Sequence, residues 1–242
     1  MTQSESRPMR ALSARQERKL VYFLDERFLE LTRGYRKRYE PTTHLPTLSL
    51  YLEASQKILS MILQIPPIDP STSLRIAYLL RLTSDVLSSV PGYPADAENI
   101  PILLDWLDDM DQAWLSVLQA QVWDPENGPA DLVIDAEAAA AGTNSSPITQ
   151  TERARLRSLL VGGATTLEEW LAGGGPRQTA IVEDDEDGKS TGAEQDVESM
   201  LQRLGVQDSF DELFWRTLQE LGGLGGIVLL PGANSGDGGG VS

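Results

Sequence analysis

Four successive segments of this chain carry apolar side chains at three- and four-residue steps, and proline follows each of them. That spacing gathers the apolar side chains of a segment onto one face of an α-helix. Faces of that kind leave water by packing against each other. From Ser13 to Tyr39 the face is Leu20, Leu24, Phe28, Leu31 and Tyr35, and Pro41 and Pro46 bracket the connection after it. From Thr47 to Ile65 it is Leu48, Tyr51, Leu52, Ile58, Leu59, Ile62 and Ile65, stopped by Pro66 and Pro67. Asp69-Pro70-Ser71 has the composition of a helix start. The third helix, to Val90, is apolar on more than one side, through Leu74, Ile76, Leu79, Leu80, Leu82, Val86 and Leu87. A helix of that kind belongs at the centre of its bundle. The fourth, Ile100 to Trp123, sets Leu103, Trp106, Leu107, Met110, Trp114, Val117 and Leu118 on one face. On its other side stand Asp105, Asp108, Asp109 and Gln112.

The pattern weakens beyond residue 123. Residues 124–148 read as a loop with an alanine run and no convincing strand. A fifth helix over 149–171 repeats Leu156, Leu159, Leu160, Leu167, Trp170 and Leu171, with Thr149 or Thr151 as its cap. Gly162-Gly163 interrupts it, and Thr166 and Glu169 stand at capping-box spacing, so two helices meeting at the glycines are an alternative. From Gly173 to Gln195 glycines and the run Glu183-Asp184-Asp185-Glu186-Asp187 leave too little apolar surface to offset ordering entropy. An amphipathic segment follows over 196–221. Then comes a tail with 9 glycines from Gly222 onward. The expected organisation is therefore all-α. A flexible N-terminus (1–12) leads to a bundle of four to five helices (13–172, with the loop at 124–148). A disordered acidic linker (173–195), a short amphipathic helix (196–221) and a disordered glycine-rich tail (222–242) complete it. The hydrophobic share of 40% suits a chain only partly folded.

Composition narrows function more than it narrows fold. The 242 residues include no cysteine and one histidine, His44. A disulfide framework and a thiolate metal site are excluded, and a reducing compartment is indicated. His44 lies between two prolines, with no serine elbow to supply a nucleophile. Gly188-Lys189-Ser190-Thr191 resembles the end of a phosphate-binding loop, but that motif requires glycine where Glu183 stands. Asp105, Asp108, Asp109 and Asp111 read as a solvated acidic face open to a partner, because a helical metal site draws inward-facing carboxylates and histidines from several helices. Catalytic, cofactor and metal residues are all expected to be absent. The polar start lacks a signal peptide's apolar stretch, and no apolar run is long enough to span a membrane.

Charge is divided along the chain. Residues 1–95 hold 13 Lys and Arg against 9 Asp and Glu, net +4, while residues 96–242 carry net −20. Such a chain is a poor ligand for nucleic acid, whose affinity comes from Lys and Arg. The basic patch is Arg33, Arg36, Lys37 and Arg38, interleaved with Tyr35 and Tyr39. It is open to three readings: a contact site, an import signal, or a solvated helix end whose cations complement the dipole. The C-terminal segment either folds back on the bundle or enters a groove on another protein. The second reading makes Phe210, Leu213, Phe214, Trp215 and Leu218 the partner-binding residues. The expected function is a non-catalytic adaptor or assembly subunit of an intracellular multiprotein complex, nuclear or cytoplasmic and not secreted. A nucleic-acid-associated protein and a carboxylate enzyme are the alternatives.

Overall fold

Residues 10–124, 128–130, 148–174, 205, 209–210 and 212–222 are described by the computed structural model, and they form an all-α bundle. The helices are α1 (Ala14–Arg36), α2 (Leu48–Leu63), α3 (Ser71–Ser89), α4 (Asn99–Leu118), α5 (Gln150–Glu169) and α6 (Trp215–Gly222). Their starts follow side-chain chemistry. Ser13 and Gln16 form a capping box at α1, and Thr149 and Glu152 form another at α5. Thr47 caps α2 by accepting the Leu50 N–H. α3 begins behind Pro70 with no side-chain cap. The expected flexible N-terminus lies outside the described residues up to residue 9. Leu12 packs against the core, and its amide donates to Ser71 Oγ at 2.8 Å.

α2 packs against α1, α3 and α4, while α3 also meets α4 and α5. α3 is buried around most of its circumference, as its all-round apolar pattern requires, and holds Leu79, Leu82 and Val86 at zero exposure. Leu79, Leu80, Trp106, Met110 and Trp114 share one core. Three tyrosines, Tyr35, Tyr51 and Tyr93, close one end with ring centroids 5.7–5.9 Å apart. Burial pushes the Tyr51 and Tyr93 hydroxyls well above the ordinary tyrosine range. Among the described residues no helix is long and apolar enough to cross a membrane.

Two boundaries depart from the sequence pattern. α4 stops at Leu118, five residues before Trp123, in a Schellman turn: Ala120 N–H reaches Val117 O and Gln121 N–H reaches Ser116 O. Ala120 takes φ of +55° there, a place glycine usually fills. The chain then forms a two-stranded antiparallel ribbon, β1 (Val122–Asp124) with β2 (Gly128–Ala130), pairing Trp123 with Pro129. Part of the expected loop, whose sequence carries no convincing strand, is thus a short sheet, and the loop's alanine run lies outside the described residues. Ala120→Gly removes the strain of the left-handed alanine and is expected to raise stability by up to about 1 kcal/mol, measured as a higher urea midpoint. An unchanged or lower midpoint would contradict that account of the turn.

α5 runs unbroken through Gly162 and Gly163, so the two-helix alternative is not adopted. Gly163 is a close-approach position: a Cβ there would collide with Leu87 of α3. Thr166 is no cap and instead donates its hydroxyl to Gly162 O. A wider turn over Trp170–Gly174 ends the helix, where the Trp170 indole N–H donates to Tyr93 O at 2.8 Å.

Candidate interaction surface

The acidic side of α4 is where the chain's chemistry gathers. Asp105 and Asp108 are exposed and Asp109 is half-buried, but Asp111 is only 3% exposed. Asp111 lies four residues after Leu107 and three before Trp114, so helical geometry turns it toward the apolar face. The sequence reading of Asp111 as part of a solvated face is therefore corrected. Its carboxylate caps a helix that arrives from more than a hundred residues away. One oxygen accepts the backbone N–H of Thr217 at 2.9 Å, the other that of Arg216 at 3.2 Å. The Thr217 hydroxyl donates to the Asp111 carbonyl at 3.1 Å, and Thr217 is fully buried. The first amides of a helix lack intrahelical partners and carry partial positive charge, so a buried carboxylate there satisfies both groups. The Arg216 guanidinium reaches Asp108 at 2.6 Å and Asp111 at 3.5 Å. The Asp108 hydrogen bond raises the Arg216 pKa.

The C-terminal helix consequently sits on its own bundle. Phe214 is 2% exposed, and Phe210, Leu213 and Leu218 pack partly buried against the same core. Four of the five residues expected to enter a partner are thus occupied by α4 and its neighbours. The exception is Trp215, 58% exposed. Phe214 takes φ of +58°, a rare conformation for a bulky residue, and the following residue starts α6 over Asp111. A cavity of about 460 Å³ opens between α4 and this segment. Its lining combines Asp105, Asp108, Asp109 and Glu212 with Leu104, Leu107, Leu213 and Trp215. Burial raises the Asp109 carboxyl, the Gln56 hydrogen bond at 2.7 Å opposes that shift, and repulsion from Asp108 and Asp105 adds to it.

The basic patch is divided by the fold. Arg38 is engaged: its guanidinium donates to Gly92 O and Tyr35 O at 2.9 and 3.1 Å and stacks on Tyr35 and Tyr39. Lys37 pairs with Glu40 at 3.3 Å. Arg33 and Arg36 stay exposed, and His44 is exposed beyond them. Among the described residues no group of three or more His, Asp or Glu is placed to hold a metal ion. Gly173 and Gly174, expected to open the disordered linker, belong to the turn that ends α5. The rest of the acidic linker, the phosphate-loop fragment at Gly188 and the glycine-rich tail from residue 223 lie outside the described residues.

A family model named TFB6, described as subunit 11 of the general transcription factor TFIIH, matches residues 56–222. The matched stretch starts inside α2 and closes on the last residue of α6, leaving α1 outside it. No curated protein and no solved structure matches the chain.

Proposed function

We propose, since the chain belongs to the TFB6 family of TFIIH subunit 11, that it is a non-catalytic subunit of that nuclear complex and meets a partner subunit at Trp215. The observation that carries the reading is the seat of α6. Asp111 and Phe214 hold the helix to α4, so Trp215 is presented from a fixed base rather than from a loose chain end. A large aromatic at 58% exposure beside a cavity floored by Leu104 and Leu107 has the anatomy of an interface anchor. Carboxylates around the cavity form the polar rim that such anchors usually have. The function expected of an adaptor is thereby confined to one side chain and its rim, instead of a whole detached helix.

The test is recovery of TFIIH from nuclear extract of cells expressing tagged chain at its natural level. The unaltered chain is expected in the complex. Trp215→Ala is expected to weaken its retention about thirtyfold, the equivalent of about 2 kcal/mol at an interface anchor, with the melting temperature of the purified protein unchanged. Absence of the unaltered chain from TFIIH overturns the assignment to the complex. Full retention of Trp215→Ala overturns the assignment of the face.

A further inference from the structure

The outer face of α1 carries a second surface with different chemistry. At 3.6 residues per turn, Arg15, Arg18, Lys19, Tyr22, Leu29, Arg33 and Arg36 fall within an arc of about 100°. All of them are exposed, Tyr22 at 67% and Leu29 at 45%. Two anions of this helix are ion-paired, and Glu26 keeps its charge while accepting a hydroxyl. Asp25 holds Arg81 at 2.9 Å, Glu26 accepts the Tyr22 hydroxyl at 2.9 Å, and Glu30 holds Arg27 at 2.8 Å. Glu17 sits in the first turn, where the dipole accommodates it. Arg15, Arg18, Lys19, Arg33 and Arg36 hold no carboxylate among the described residues. The outcome is a stripe about 30 Å long, cationic at both ends, with Tyr22 and Leu29 in the middle beside the exposed Glu26.

We propose that this face binds an acidic amphipathic segment of a partner protein, carboxylates flanking a few apolar side chains. The order of chemistry along the stripe favours that occupant over a nucleic-acid backbone. A phosphate backbone, charged along its whole length, would meet Tyr22 and Leu29 at the centre, where the stripe offers it no cation. An acidic segment with an apolar centre matches this order: ion pairs at the ends fix its register, Tyr22 and Leu29 bury its apolar side chains, and its carboxylates lie away from Glu26. The surface lies on a different helix from Trp215 and stands or falls separately from it.

The experiment measures fluorescence anisotropy of a labelled peptide of about 20 residues, enough to cover the stripe as a helix. It has Asp and Glu at both ends and Leu and Phe at its centre, and is titrated with the full chain at physiological salt. Binding is expected. It should weaken about tenfold or more when Arg15, Arg18 and Lys19 are changed to Glu, and again when Arg33 and Arg36 are. Tyr22→Ser with Leu29→Ser should weaken it about tenfold with every charge intact. All these positions are exposed, so each variant should melt where the unaltered chain does, and the melting curve is recorded for each. Three outcomes overturn the proposal. One is no binding of the peptide. Another is tighter binding of a duplex DNA of similar length that ignores Tyr22 and Leu29, which makes the face a nucleic-acid contact. The third is peptide binding only after Glu183, Asp184, Asp185, Glu186 and Asp187 are changed to Ser, which makes the chain's own acidic run the occupant.

Discussion

Removing residues 209–242 is expected to lower the melting temperature of the bundle by on the order of 10 °C. Phe214 is 2% exposed in the core, and truncating a buried Phe to Ala alone costs about 3–5 kcal/mol. In a domain of this size 1 kcal/mol corresponds to about 2–4 °C. The deletion also uncovers Leu104 and Leu107 and strips the Asp111 carboxylate of its donors while leaving it low in the surface. Phe214→Ala in the full chain should reproduce most of the loss. Asp111→Ala isolates the cap: it leaves the Arg216 and Thr217 amides without an acceptor, at about 1–3 kcal/mol for each buried donor. The Arg216 ion pairs add little, since that side chain is 45% exposed. Differential scanning calorimetry of the three variants decides the matter. A deletion that melts where the full chain does would mean that α6 contributes nothing to the bundle and is free for a partner.

The same helix shows where the sequence stops being readable. The bundle was legible because its apolar faces repeat over many turns: Leu103, Leu107, Met110 and Trp114 form one stripe, and the structure buries every one of them. The end of α4 was not, because Ala120 does the work of a glycine and carries no glycine's signature. The continuity of α5 was obscured for the opposite reason. Gly163 reads as a breaker, but it sits where α5 approaches α3 and a Cβ would push on the Leu87 side chain. The seat of α6 depends on pairing Asp111 with Thr217 across the chain, and no local pattern encodes which distant amide a carboxylate will cap. A signal was still present, in that Asp111 falls on the apolar stripe of α4 at Leu107 plus four. A carboxylate in that register needs a donor, and the donor comes from the segment whose Phe214 needs a core. The basic patch is divided because α1 ends at Arg36, leaving Arg33 and Arg36 on the helix and Arg38 in the turn beyond it. Arg38 turns in toward Gly92, whereas Arg33 faces out alongside Arg15.

Trp114→Ala is expected to destabilise the fold by about 3–5 kcal/mol, since a fully buried indole leaves a cavity that the bundle cannot fill. The more discriminating comparison is between two tryptophans of α4 when each is changed to Phe. The Trp114 indole N–H donates to Thr83 Oγ1 at 3.0 Å, and the Thr83 hydroxyl donates onward to Leu79 O at 2.8 Å. Trp106 is also buried, at 5% exposure, but its Nε1 has no hydrogen-bond partner among the described residues. Trp114→Phe gives up a satisfied bond as well as volume. Trp106→Phe gives up volume while relieving a buried donor that none of the described residues accepts, a group whose burial costs about 1–3 kcal/mol. Urea denaturation should therefore place Trp106→Phe above Trp114→Phe in stability by about 1 kcal/mol or more. Thr83→Val should destabilise by stranding the Trp114 N–H, and in the Trp114→Phe background that cost should shrink, giving a coupling of about 1 kcal/mol between the two sites. If the costs of Trp114→Phe and Thr83→Val simply add, the bond at 3.0 Å contributes nothing, and Trp114 holds α4 to α3 by packing alone.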